Sequence, residues 1–227
     1  MTPDTQRRET LFVLSYFFAY FAYLFLYREG EILHWVGLVL LPLGLLWLVR
    51  RPARLAELLA SVGIARDTLT RGVGWAILIG LLLSALQLSL SRQGRAIAEL
   101  LLSPRALYLL PLSFGLMCVT AAFTEEFFFR GILQTRLAAL CRSNWLAVAM
   151  TSVLFGFYHL PYAYLHPRWP SHGNWGDAIA SAFGQAVPMG LILGTLFVRS
   201  RSNLFACVIL HALINTFPAL ASLAKRL

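Results

Sequence analysis

The chain has 227 residues, of which 59% are hydrophobic and only 13% are charged, with a formal net charge of +9. Soluble domains run about 45–50% apolar and about 25% charged, so this composition excludes a water-exposed globular surface and makes lipid the main solvent. The basic residues stand mainly between apolar runs, as in Arg50-Arg51 and Arg199-Ser200-Arg201; this suits topogenic charge and anionic lipid, and argues against nucleic acid, whose binding calls for a clustered basic face.

Each span takes roughly 20 apolar residues, so about seven or eight spans with short loops fill the length. The expected fold class is an all-α polytopic membrane bundle. Residues 1–10 are polar and carry Arg7 and Arg8. The run from Leu11 to Tyr27 lacks a small-residue cleavage site and is followed by Arg28-Glu29-Gly30-Glu31, which predicts an uncleaved first span. Ile32 to Val49 is the second, ended by Arg50, Arg51 and Pro52. Residues 53–71 mix Leu and Ala with Arg54, Glu57, Arg66, Asp67 and Arg71, a pattern that predicts an amphipathic interfacial helix. Gly72 to Ser91 is the third span. Arg92 and Arg95 open a connector that reaches Arg105 and holds a short apolar helix around Ile97–Leu102.

Ala106 to Thr124 is the fourth span and runs without a breaker into Glu125-Glu126-Phe127-Phe128-Phe129-Arg130. Asn144 to Leu160 is the fifth, stopped by Pro161. Residues 161–177 are predicted as a loop, read as an interfacial aromatic belt with a binding role as the alternative. Ala178 to Val198 is the sixth, with Pro188 as a kink and Gly190 and Gly194 allowing close helix approach. Leu204 to Ser222 is the seventh, and Lys225-Arg226 follows. Two parts result: 1–105, about three spans with amphipathic connectors, and 106–227, which holds the candidate catalytic helices. Cys118, Cys141 and Cys207 show no paired spacing and read as small apolar residues.

Seven spans put the termini on opposite sides. Arg7/Arg8, Arg50/Arg51/Arg54, Arg136/Arg142 and Arg199/Arg201 then share one side, which the positive-inside rule makes cytoplasmic, N-terminus included. Arg92, Arg95, Arg105 and Lys225-Arg226 fall on the other. Arginine-rich, nearly lysine-free usage points to a GC-rich bacterial genome, and so to the bacterial cytoplasmic (inner) membrane.

Polar groups inside apolar helices are costly and usually functional. Glu125 and Glu126 end a long apolar run and precede three phenylalanines. Glu126 and Arg130 stand at i,i+4 with the acid first, the favourable pairing order, and read as a structural ion pair. Glu125 points roughly 100° away around the helix and needs another partner. His159 closes Phe155-Gly156-Phe157-Tyr158-His159, one turn after Phe155. His211 and Asn215 stand at i,i+4 in the last span. Singly, each reads as an interhelical hydrogen-bonding residue. Together, Glu125, His159, His211 and Asn215 satisfy one another most easily around one wet cavity. Peptide hydrolysis needs an activated water and donors aimed at the developing oxyanion, and these four groups can supply both.

The three motifs resemble those of the CAAX protease and bacteriocin-processing family, which includes the type II CAAX prenyl endopeptidases. That family's pattern is two glutamates, three residues and an arginine; Phe, three residues and His; then His, three residues and Asn. The resemblance covers about residues 106–220 and implies a fold of roughly eight helices with a membrane-embedded conical cavity. It implies Glu125 as general base aided by His159, His211 and Asn215 at the oxyanion, and Glu126, Arg130 and Phe155 in support. Relatives act on prenylated tails, bacteriocin leaders or C-terminal sorting tags, so the expected partner is a membrane-associated peptide or protein. No cofactor is expected. Glutamate with two histidines also suits zinc, but no His-Glu-x-x-His motif is present and the two histidines sit on different predicted helices. The competing function is a non-catalytic membrane protein: an immunity factor, a scaffold, or a small transporter lined by Gln185 and the sixth span's Pro and Gly residues.

Overall fold

The computed structural model describes residues 3–26, 31–50, 54–91, 93–167 and 169–225. The predicted breakers Arg28, Glu29, Gly30, Arg51, Pro52, Arg92 and Arg226 lie outside them, as does Tyr27. Among the described residues there is no strand, and seven helices are long and apolar enough to cross a membrane. We number the elements α1 (Thr5–Leu26), α2 (Leu33–Arg50), α3 (Leu55–Ala60), α4 (Val73–Leu90), α5 (Gly94–Leu101), α6 (Ala106–Cys141), α7 (Asn144–Leu165), α8 (Trp175–Arg199) and α9 (Leu204–Ala224). The chain is an integral membrane protein of the polytopic helical-bundle class.

Burial separates lipid-facing from central helices. Only 17% of α4's most apolar window is buried, against 56% for α7 and 50% for α9. α4 shows Trp75, Leu78 and Leu82 to the outside, as a span bathed in lipid should. α6 is 36 residues long, far more than the roughly 20 a bilayer needs. Its first half is largely exposed, and an almost unbroken buried stretch begins at Ala122. The three phenylalanines explain that switch. Phe128 stacks on Phe17 of α1 with centroids 6.4 Å apart, and Phe129 meets Phe17 at 6.1 Å and Phe155 of α7 at 4.9 Å. The aromatic run of α1 thus covers the helix that carries both glutamates.

Four expectations change. α6 does not end near Thr124 but continues to Cys141. α7 passes through Pro161 to Leu165; a spanning helix tolerates proline where neighbours and local adjustments re-satisfy the freed carbonyl, so the loop shrinks to 166–174. Residues 53–71 are not one amphipathic helix but the single turn-and-a-half of α3 and a 3₁₀ turn at Arg66–Thr68. The fourth concerns charge. Glu9, in the polar N-terminal stretch, has no exposure and meets Arg50 Nε at 3.1 Å and Arg136 Nε at 3.5 Å. Arg136 also donates to the carbonyls of Ser61 and Gly131. A carboxylate held by two guanidinium groups ties α1, α2, the α3 segment and α6 together at one end of the bundle. Arg50 and Arg136, expected as topogenic charges, therefore have a structural role. The apolar helix around Ile97 is α5, too short to span.

α8 packs closely on α7 at Gly190 and on α6 at Gly194, the two expected glycines. A β-carbon on Gly190 would stand 2.8 Å from Ser152 Cα, and one on Gly194 would stand 2.8 Å from Gln134 Oε1. Pro188 follows a wide π turn at Ala182–Ala186, which absorbs the missing amide. Forcing an extra methyl into a packed contact costs about 1–3 kcal/mol. Gly190→Ala should therefore lower the melting temperature in detergent. Gly184→Ala, whose added carbon meets nothing within 4 Å, should not.

Candidate functional site

Three of the seven long helices bring the predicted site residues together, and a fourth adds one. Glu125 lies in a short α-helical turn, Phe123–Glu126, with π-helical stretches on both sides, Cys118–Ala122 and Phe127–Gln134. Such widened turns concentrate at functional sites because they re-aim side chains without ending the helix. Here they turn both carboxylates inward: Glu126 has no exposure and Glu125 keeps 7%.

Glu126 is the buried anchor. Its Oε1 accepts from Arg130 Nη1 at 2.8 Å and from His211 Nδ1 at 2.7 Å. Arg130 is also fully buried; its Nη2 donates to the Gly190 carbonyl at 3.4 Å, and its guanidinium lies 4.5 Å over the Phe155 ring. The i,i+4 pair is present, but it does more than brace one helix. It holds a histidine of α9 and reaches the backbone of α8.

Glu125 is placed differently. Its Oε2 lies 3.8 Å from His159 Nε2 and 3.9 Å from His211 Nε2, and its Oε1 lies 3.9 Å from His34 Nε2. Three imidazoles thus surround one carboxylate, each just beyond hydrogen-bond range. His159 Nδ1 donates to the Phe155 carbonyl at 2.8 Å. A carbonyl only accepts, so the proton sits on Nδ1, and Nε2 of the neutral ring accepts. His211 Nδ1 faces the Glu126 carboxylate, which only accepts, so that nitrogen also carries a proton. Glu125 Oε2 and His159 Nε2 are then both acceptors, an arrangement complementary to a donor such as water.

These groups line a cavity of about 690 Å³. Glu125, His159, His211, Asn215 and Phe155 all border it, so the structure gathers the expected catalytic set. Glu126 and Arg130 stand behind the wall. The cavity's other surfaces are apolar residues of α4, α8 and α9, including Leu86, Met189 and Ile214, with the amides of Gln87 and Gln185. Of the residues expected in the 161–177 loop, Tyr162 in the last turn of α7 and His166 and Trp169 beyond it border the cavity, whereas Tyr164 of α7 stacks on Trp175 with centroids 3.9 Å apart. Among the described residues no group of three or more His, Cys, Asp or Glu side chains has the spacing to hold a metal ion.

Sequence reasoning missed His34. It sits in α2, where the N-terminal part carried no motif. The rule that an ionisable residue inside a span is functional by default applied to it and would have found it. Of the two tyrosines that bond its ring, Tyr158 was given no role and Tyr162 was read only as part of the aromatic 161–177 segment.

Fold and site together define a polytopic membrane protein with a carboxylate–histidine cavity inside the bundle. Residues 107–217 match the family model described as Type II CAAX prenyl endopeptidase Rce1-like. This segment holds all three motifs, and its match agrees with the CAAX protease and bacteriocin-processing family that they resemble; the family is one of peptide hydrolases. No curated protein and no solved structure was found to match the chain.

Proposed function

We propose that the chain is a glutamate-type intramembrane endopeptidase that cuts a membrane-associated peptide or protein near its C-terminus. The observation that carries this reading is the convergence of Glu125, His159 and His211, from three helices, to within 3.9 Å around one cavity. Glu125 takes a proton from water, with His159 Nε2 accepting the water's other hydrogen and so orienting it. The hydroxide oxygen attacks the scissile carbonyl carbon. The oxyanion formed there is met by the Asn215 amide and by His211 Nε2–H. For that second donor the His211 ring must carry two protons, and the Glu126 carboxylate on Nδ1 is the matching counter-charge. The C–N bond then breaks, and the proton held by Glu125 passes to the leaving amine. No metal and no covalent nucleophile enter these steps.

Residues 106–227 would carry the catalytic helices and 1–105 would support them. The end that gathers Glu9, Arg50 and Arg136 would face the cytoplasm of a bacterial cell, across its inner membrane, with the N-terminus on that side. The partners would be lipid and the membrane-associated substrate, with no role for nucleic acid.

The test compares membrane-protein C-termini by mass spectrometry in cells carrying the wild-type chain or His159→Ala at equal abundance. A set of longer C-termini should accumulate in the variant. Identical C-termini in the two strains would leave the non-catalytic alternative standing, and processing that stops on chelation of the purified protein would favour a metal-dependent mechanism.

A further inference from the structure

Glu125 can act on a water at Oε2 only if its carboxylate keeps that oxygen turned to His159 and His211. The last torsion of a glutamate is broad and roughly two-fold, so something has to hold the plane from the Oε1 side. We propose that His34 is the positioning residue that does so, itself fixed by the hydroxyls of Tyr158 and Tyr162. This rests on the peptidase reading above and adds to the site a residue outside the matched segment, 107–217.

His34 is on α2 and its two tyrosines are on α7. The Tyr158 hydroxyl lies 3.0 Å from His34 Nε2, and the Tyr162 hydroxyl lies 3.3 Å from Nδ1. A neutral imidazole has one donor and one acceptor nitrogen, while each hydroxyl can serve either role. One tyrosine therefore donates and the other accepts, whichever tautomer is present, and the ring is pinned at both nitrogens. Tyr158 is fully buried and its ring packs on Phe129 and Phe155, so it is a rigid post.

The backbone is shaped to the same end. Directly after His34 and Trp35, α2 widens into a π turn, Val36–Leu40. The Tyr16 hydroxyl of α1 donates to the Gly37 carbonyl in that turn. On the other side, Trp35 stacks on Phe123 of α6 with centroids 5.3 Å apart, two residues before Glu125. α2 is thus clamped against the turn that carries the base, and His34 Nε2 comes to 3.9 Å from Glu125 Oε1. The carboxylate has an imidazole on each edge: His34 at Oε1, His159 and His211 at Oε2. Losing the first frees the carboxylate to rotate out of line with the water.

The test uses the full chain in lipid nanodiscs and two readouts. Glu125→Gln identifies the Glu125 carboxylate bands in the infrared difference spectrum. His34→Leu should shift those bands and lower processing of the C-termini that depend on Glu125 by about 10- to 100-fold, the loss expected from an ångström-scale misplacement of a reacting group. His34→Gln, which keeps a polar side chain able to bond the two tyrosine hydroxyls beside Oε1, should recover most of the rate. His172→Leu, an exposed histidine, should move neither. Should His34→Leu fold poorly, Tyr162→Phe removes only the hydroxyl on Nδ1 and should shift the bands in the same direction. Unmoved Glu125 bands in His34→Leu or Tyr162→Phe, or wild-type processing by a folded His34→Leu, would overturn the assignment. Normal processing by Glu125→Gln would instead remove the peptidase reading, and the infrared result would still decide whether His34 orders that carboxylate.

Discussion

Glu125→Gln should abolish processing while leaving the protein folded, inserted and as heat-stable as wild type. The two halves of this result come from the same geometry. Glu125 lies in no short ion pair; its nearest imidazole nitrogens are 3.8–3.9 Å away. An amide of the same shape therefore removes little that holds the fold. Its effect on chemistry is severe. The amide cannot take a proton from water, and its NH₂ group can donate directly to His159 Nε2, closing the gap that water would bridge. Loss of a general base typically costs about 10²–10⁴ in rate. The check is twofold: C-terminal profiling in cells, and melting of the purified variant in detergent. Wild-type processing by a well-expressed Glu125→Gln would end the assignment of Glu125 as the base.

The readable and the unreadable parts of this chain divide along physical lines. Spans were legible because hydrocarbon demands long apolar helices, and a run such as Val73 to Leu90 leaves no other choice. The ends were less so. Pro161 reads as a stop in a soluble helix, and only the surrounding bundle lets α7 continue. Glu126 with Arg130 was legible as a pair because i,i+4 geometry is local. That the same carboxylate also holds His211, 85 positions away, is a tertiary fact with no local trace. Glu125, His159, His211 and Asn215 could be grouped because each is an expensive polar residue in an apolar helix. His34 met the same criterion in Ile32-Leu33-His34-Trp35 but belonged to no motif. Its approach to Glu125 follows from the π turn of α2 and the Trp35–Phe123 stack, neither of which a hydropathy pattern encodes. Glu9 is a similar case. An acid in a polar stretch such as residues 1–10 looks solvated, and only the folded chain supplies Arg50 and Arg136 to bury it.

The largest stability loss should come from Arg130→Ala. Arg130 and Glu126 have no exposure, and breaking a buried pair from one side costs about 3–5 kcal/mol because the remaining charge stays in the interior. Arg130 also loses its place over Phe155 and its bond to Gly190 at the close approach of α7 and α8. Arg130→Lys keeps the charge, but a single ammonium cannot span Glu126 and Gly190 while lying flat on a ring, so it should fall between Arg130→Ala and wild type. Removing both charges tests what the pair is for. Among the described residues Glu126 Oε2 and Arg130 Nε have no hydrogen-bond partner, and a buried pair replaced by apolar or neutral groups is often no less stable. Glu126→Gln with Arg130→Met should therefore melt well above Arg130→Ala alone. It should still process poorly, because His211 has lost the carboxylate that supports its second proton. Stability and processing would then part company in one variant, the behaviour expected if the pair is retained to hold a histidine. Equal melting of Arg130→Ala and Glu125→Gln would refute the anchoring role, and a stable double variant that processes at the wild-type rate would refute the link to His211.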